Sequence, residues 1–363
     1  LWDRDGRRHL DFLCGLAVTS LGHAHPAVSA AIAAQAATLV HTSNLFANEH
    51  QAPVAERISE LIGAGSGQVL FQNSGAEANE AAIKLARKYQ GRGRHVVVSA
   101  MRSFHGRTLA ALAATGQPEK HEPFQPLPEG FRHAAWNDLA EIERALGPEV
   151  GAILLEPLQG EGGVNAADPA FLQGVRRICD ERGILLIFDE VQTGFARTGE
   201  WFGFHHAGVV PDIVALAKGV ANGMPVGAIW ARDEVAAAFG PGDHGSTFAG
   251  QPLALAAARA TLDTYVEMDA PAVVRERGGG LRDRLAALEA VDHVRGLGLL
   301  LGVELTADAL AGRTAAQVAR ACLDRGLIVN GVTPTAQRLA PPFIVTDAEI
   351  DEAVAVIAAV VAD

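Results

Sequence analysis

The stretch LLIFDEVQTG (Leu185–Gly194) opens with an unbroken apolar run and closes it with two adjacent carboxylates, Asp189 and Glu190. A continuous apolar run, rather than an alternating one, is the pattern of a strand covered on both faces. Similar short runs recur outward from it, at 68–71, 95–100, 151–156, 213–217 and 226–231. Between them, 77–89 and 169–183 carry apolar residues at helical spacing. This alternation predicts an α/β fold, a large domain with a mainly parallel sheet covered by helices. In open sheets of this kind ligands bind at the carboxyl ends of strands, and Asp189 would sit at that edge. A buried acid there is costly unless something pairs with it. It could meet a metal, a ribose hydroxyl or a cationic ring nitrogen, or it could cap a loop or pair with an arginine.

Beyond about Ala256 the texture changes to a long Ala/Leu/Arg helical region, then GLGLLLGVEL, GLIVN, QRLAPPFIV and a closing helix. This predicts a smaller α+β domain of residues 1–35 and 256–363, beside a large domain of residues 36–255. The 363 residues are 49% hydrophobic and 20% charged, an ordinary globular composition. A net charge of −12 argues against a nucleic-acid or anionic-membrane surface. Cys14, Cys179 and Cys322 are far apart and odd in number, which fits reduced thiols and a cytoplasmic protein. No signal-peptide pattern and no long apolar span is read in these residues, so neither a leader nor a membrane span is expected. The chain starts at Leu1 in what reads as mid-domain sequence, so a missing N-terminal segment is expected. GHAHP (22–26) and the histidine pair 205–206 lack a third ligand at zinc-like spacing, so no metal site is expected.

Two further stretches carry chemistry. Ser74 and Glu77 in NSGAEANEAAIKLARKY have the spacing of a capping box, which starts a helix near Gly75. A glycine at a helix N-terminus suits a phosphate, because free N–H groups and the helix dipole both favour an anion. The stretch is neither G-x-G-x-x-G nor G-x-x-x-x-G-K-[ST], which counts against a dinucleotide or a nucleoside triphosphate. Lys218 ends an apolar strand in PDIVALAKG. Burial would lower its pKa and make it nucleophilic, as a Schiff-base lysine requires, although a lone lysine there could also snorkel to solvent. A phosphate cradle, an acid for a cationic nitrogen and a poised lysine together describe a site for pyridoxal phosphate.

FQNSGAEANEAAIKLARKY, SFHGRTLAAL, LLEPLQGEGG, LLIFDEVQTGFARTG, PDIVALAKG and GDHGSTFAGQPLA, in this order, resemble class III pyridoxal-phosphate aminotransferases. The resemblance runs over nearly the whole chain, and within the class it is strongest to the acetylornithine aminotransferases. It implies the fold type I arrangement, with a seven-stranded sheet in the large domain. Lys218 would bond the cofactor aldehyde and move the substrate proton. Asp189 would pair with the pyridinium nitrogen, Val191 and Phe104 would flank the ring, and Gln192 would approach its phenolic oxygen. Gly75 and Ala76 would bind the phosphate through backbone N–H groups. Thr247 would reach the phosphate of the neighbouring subunit, making a homodimer with shared active sites.

The resemblance also implies a substrate set of acetylornithine and 2-oxoglutarate or glutamate. Arg107 would take the α-carboxylate and Arg338 the distal one. Glu161 would neutralise Arg338 in the half-reaction where no carboxylate reaches it, and Ser246 is placed with the substrate. Ornithine aminotransferases carry a tyrosine where Leu16 stands and an arginine where Asn44 stands, which favours an acetylated donor. Ornithine, 4-aminobutyrate and succinyldiaminopimelate enzymes share most cofactor motifs and are the alternatives. Val220, Ala221 and Asn222 replace a usual glycine-rich run, and Ala249 and Gln251 replace a usual glycine and asparagine, so small differences in loop geometry are expected. Glu190 and Glu156 are assigned to loop stability and His105 to the surroundings of the site.

Overall fold

The computed structural model describes residues 1–362. Seven strands form the main sheet: β1 (Gly67–Gln72), β2 (Val96–Ala100), β3 (Phe131–Ala134), β4 (Val150–Leu155), β5 (Leu185–Asp189), β6 (Ile213–Leu216) and β7 (Gly227–Arg232), in the order β1-β7-β6-β5-β4-β2-β3. β7 is antiparallel to both of its neighbours, and the other pairings are parallel. The six strands expected from apolar runs are all present to within a residue or two. β3, of sequence FRHA, was not expected: it lies at the sheet edge, partly exposed, and carries Arg132 and His133 where a central strand would carry aliphatics.

The period of two along each strand sorts the core into two faces. Val97, Leu154, Ile187, Ala215 and Ile229 point to one face, where they pack against Ala78, Ala82, Ile83 and Leu85 of helix α1 (Gly75–Gln90). Val98, Ile153, Leu186, Val214 and Trp230 point to the other, packing with Phe171, Leu172 and Val175 of helix α2 (Pro169–Arg182). Both faces are dry, which explains the continuous apolar runs.

The C-terminal third builds a second, antiparallel sheet of β8 (Val291–Leu297), β9 (Leu300–Leu305), β10 (Asn330–Gly331) and β11 (Ala336–Leu339), in the order β8-β9-β11-β10. The first residues lie beside it: Leu10 and Asp11 pair in parallel with Leu327 and Ile328 in a separate two-stranded sheet, and Ala340 N–H donates to the Phe12 carbonyl at 2.7 Å. Helix α3 (Pro252–Glu267) lies against the helix Pro26–Ala36. The β8–β9 turn seats directly on the loop after β5, where Leu299 N–H donates to the Arg197 carbonyl at 3.1 Å. A Cβ at Gly298 in that turn would come within 2.7 Å of Val274, so the close approach requires glycine.

Leu154 is fully buried on the α1 face of the sheet, one residue before the end of β4. Leu154→Ala should lower unfolding free energy by about 2–5 kcal/mol through lost burial and a residual cavity. The shift of the urea midpoint measures it, and a change within error would mean that this face is not tightly packed.

Candidate active site

The chain ends of β1, β4, β5 and β6 meet at one edge and line a cavity of about 390 Å³. Asp189 is the last residue of β5, not the first after it, and is nearly inaccessible. Its Oδ2 accepts from Asn79 Nδ2 at 2.8 Å and lies 2.8 Å from His105 Nδ1, while Oδ1 accepts from Val191 N–H at 3.0 Å. A carboxylate has about four acceptor positions, so the three donors of the chain leave one direction open toward the cavity. A hydrogen bond from the ring to Asp189 uses His105 Nδ1, and Nε2 of the same ring is buried without a partner among the described residues.

Helix α1 begins where the capping pattern placed it. Ser74 caps it by accepting from Glu77 N–H at 3.2 Å, but Glu77 Oε2 reaches back to the Asn73 N–H at 2.6 Å rather than to Ser74. The first-turn N–H groups of Gly75 and Ala76 have no acceptor within the helix and face the cavity. A Cβ at Gly75 would approach Val191 Cγ1 to 2.7 Å, and one at Gly227 would collide with the Ser74 carbonyl. Both glycines let the backbone close on the cavity.

Lys218 follows β6 in a short 3₁₀ turn (Lys218–Ala221), with φ +47°. Its side chain is partly accessible, and only from the cavity side. Burial, and then the Arg338 guanidinium, push its ammonium down to about 8, against weaker pulls from Glu161, Asp189 and Glu156. Arg338 on β11 is buried and donates through Nη1 to Glu161 Oε1 at 2.5 Å and to Gln192 Oε1 at 3.3 Å. Its Nη2 is buried without a partner among the described residues. Burial raises Glu161, but Arg338 outweighs it and holds the carboxyl below its ordinary value. Arg107 is exposed at the cavity mouth, its guanidinium 5.5 Å from the Phe104 ring centroid, and Lys120 Nζ lies 5.4 Å from the same ring.

The cavity therefore gathers Gly75, Ala76, Phe104, Arg107, Glu161, Asp189, Val191, Gln192 and Lys218. Arg338 stands behind Glu161 and Gln192. Ser246 and Thr247 do not line it: Ser246 Oγ accepts from Asn73 Nδ2 at 2.7 Å, and Thr247 is exposed on the surface of the single chain. Glu190 is a loop anchor, bonded by the Thr193 hydroxyl and the N–H groups of Gly203 and Phe204, and burial raises it to about 7. Glu156 lies closer to the chemistry than expected. It lines the cavity, accepts from Phe104 N–H at 3.1 Å, and is pushed well above the carboxylate range by burial and then by Asp189. Asn79 was missed, although the sequence marks it: it shares the apolar stripe of Ala82, Ile83 and Ala86 on α1, where a polar residue needs a partner.

A class III aminotransferase family model matches residues 1–361. The chain belongs to the class III aminotransferase family. As a member it is a pyridoxal-phosphate-dependent transaminase acting on small molecules. It is 47% identical to an acetylornithine aminotransferase of Caldanaerobacter subterraneus subsp. tengcongensis, over 98% of this chain and 91% of that one. Among solved structures it is similar to the N-acetylornithine aminotransferase of Stenotrophomonas maltophilia K279a, with TM-score 0.86 and 35% identity over 99% of this chain and 92% of that one. The ornithine aminotransferase of Toxoplasma gondii matches with TM-score 0.92 and 34% identity, over 99% and 87%.

The donor set fits pyridoxal phosphate. Free first-turn N–H groups suit its phosphate, the open direction of Asp189 suits a protonated ring nitrogen, and a lysine of lowered pKa faces the same space. In the cofactor-free chain, acetylation of Lys218 should rise with pH through a midpoint near 8, where an ordinary lysine would titrate near 10.5. Peptide mass spectrometry across pH 6–11 measures it, and a midpoint at the ordinary value would mean that the amine is not desolvated.

Proposed function

We propose that this transaminase moves the δ-amino group of N2-acetylornithine to 2-oxoglutarate, giving N-acetylglutamate 5-semialdehyde and glutamate. Relatives bearing the acetylornithine aminotransferase name at 43–47% identity support the donor. The observation that carries the two-substrate logic is the Glu161–Arg338 pair beside Lys218. The reacting carbon of 2-oxoglutarate bears a carboxylate, whereas the δ-carbon of the donor bears none. One site must therefore present a cation in one half-reaction and hide it in the other. Glu161 supplies the neutralising charge, and a bidentate carboxylate can displace it from the arginine fork.

The placement of the two arginines favours the reverse of the order expected from the sequence. Arg338 is buried and bonds Glu161 and Gln192, which line the cavity beside Lys218, and its charge lowers the Lys218 amine, whereas Arg107 is exposed at the mouth. A carboxylate bonded to the reacting carbon must lie near the amine that handles that carbon's proton. Arg338 would then take the α-carboxylate of 2-oxoglutarate, and Arg107 at the mouth would take the distal carboxylate of either substrate. Leu16 lies in a left-handed turn (φ +69°) and is exposed; it is Val18, two residues on, that lines the cavity.

When bound, pyridoxal phosphate supplies an electron sink that lets the amine-bearing carbon lose a proton. Asp189 would keep a proton on the ring nitrogen, with Asn79 and His105 holding the carboxylate in place. Gly75 and Ala76 N–H groups would bind the phosphate, and Val191 and Phe104 would enclose the ring. Lys218 Nζ would carry the proton to and from the substrate carbon. With its midpoint at about 8, half of these amines are neutral at that pH, against roughly one in 300 for an ordinary lysine.

We further infer a homodimer in which Thr247 completes the neighbour's phosphate site. Exposed Thr247 sits beside Phe248, and Leu45 and Phe46 are also exposed, 86% and 66%, more apolar surface than a lone chain needs. The three buried, unpaired cysteines accord with a cytoplasmic location.

Single-turnover spectroscopy with acetylornithine, ornithine, 4-aminobutyrate and succinyldiaminopimelate tests the donor; acetylornithine should react fastest, and a faster ornithine would replace it. Glu161→Gln should slow the acetylornithine half-reaction on the order of tenfold, the effect of a lost charge-assisted bond, and leave the glutamate half-reaction nearly unchanged. Equal losses in both halves would sink the switch.

A further inference from the structure

The turn that carries Lys218 is gripped from behind by groups that never reach the cavity. The left-handed φ of Lys218 costs roughly 1–2 kcal/mol for a residue with a Cβ, and such strain persists only where the surroundings over-determine it. The Gly219 carbonyl accepts from the Tyr265 hydroxyl at 2.8 Å. Tyr265 is fully buried on α3, with its ring 5.3 Å from that of Phe343. The Ser20 and Tyr265 hydroxyls crowd the same peptide: a Cβ at Gly219 would lie 3.5 Å from the one and 3.7 Å from the other. Ser20 Oγ in turn accepts from Arg197 Nη2 at 2.8 Å, and its carbonyl accepts from Phe343 N–H at 2.7 Å.

Arg197 is buried and meets no carboxylate within ion-pair distance among the described residues. It donates to the carbonyls of Leu299 at 3.1 Å and Pro341 at 2.6 Å, and lies 4.7 Å from the Phe343 ring centroid. A buried guanidinium whose bonds go only to carbonyls and one hydroxyl, with Nε unpartnered among the described residues, is expensive, and desolvation lowers its pKa accordingly. What it ties together is specific: the N-terminal segment, the β8–β9 turn, and the chain just beyond Arg338 on β11.

We propose that Tyr265 is a positioning residue for Lys218, its hydroxyl holding the Gly219 carbonyl so that the lysine amine stays aimed into the cavity. The Ser20–Arg197 relay links that aim to the strand bearing Arg338, so the amine and the carboxylate-binding fork are set from one buried network. The inference rests on the reading of Lys218 as the cofactor-linking, proton-carrying amine.

Tyr265→Phe keeps the ring and its contact with Phe343 and removes only the hydroxyl. In the holoenzyme, the pH midpoint of the visible absorbance band should shift from its wild-type value. Turnover should fall tenfold or more in both half-reactions, the scale of a misplaced reacting group, with KM for each substrate within about twofold. Should the variant fold poorly, Ser20→Ala provides the second arm. It leaves the Tyr265–Gly219 bond and breaks the relay, and should move the band midpoint in the same direction by less while raising KM for 2-oxoglutarate. An unchanged midpoint and unchanged turnover per folded enzyme, even with a lower Tm, would make Tyr265 a packing residue and overturn the proposal. Failure of borohydride to fix the cofactor to Lys218 in the wild-type enzyme would instead overturn the reading beneath it.

Discussion

The Asp189 carboxylate lies at the inner wall of the cavity, cut off from bulk water, and its charge must be met by whatever surrounds it. Asn79 comes from α1, His105 from the loop after β2, and the Val191 N–H from the turn that follows β5. These three segments converge because each answers one direction of the same carboxylate. Their convergence also places the free N–H groups at the start of α1, the Phe104 ring and the Val191 side chain around a single volume. The direction left open is the one that a cationic ring would use. The fold can carry a charge at this depth because every other direction is already satisfied.

Around that acid the remaining charges are arranged so that each changes what its neighbour can do. Burial and Arg338 make the Lys218 amine easy to deprotonate, while Glu161 is hydrogen-bonded to Arg338 and offsets its charge. Glu156 is pressed toward its neutral form by burial and by Asp189, which limits the negative charge on that side of the cavity. The arginine fork comes from the second sheet and the lysine from the first. Arg197, Ser20 and Tyr265 connect the two through buried hydrogen bonds, so the site has a rigid back as well as a shaped front.

The parts that were legible in the sequence were those with a local physical signature. Central strands show as unbroken aliphatic runs because both faces are dry, and α1 and α2 show apolar residues at helical spacing. β3 was illegible because an edge strand need not be apolar, and Arg132 and His133 satisfy it as well as valine would elsewhere. The replacement of a glycine-rich run by Val220, Ala221 and Asn222 looked like a departure from the family pattern. In the structure Asn222 takes φ +45°, a conformation asparagine tolerates. Its side chain accepts from Leu21 N–H at 2.8 Å and donates to the Gly22 carbonyl at 3.1 Å. The departure gains a tie to the N-terminal segment and leaves the lysine turn intact.

Fold class, the capped start of α1, the acid at the end of β5 and the lysine after β6 are written in short contiguous stretches, because hydrogen-bond periodicity and strand burial act over a few residues. The partners of those groups are not. Asn79 and Asp189 are 110 positions apart, Glu161 and Arg338 are 177 apart, and Arg197 and Ser20 are 177 apart. Coulomb forces and desolvation depend on distance through space and on exclusion of water, and neither exists until the chain has closed on itself. The lowered pKa of Lys218, the neutralised arginine and the braced turn behind the lysine therefore belong to the folded molecule alone.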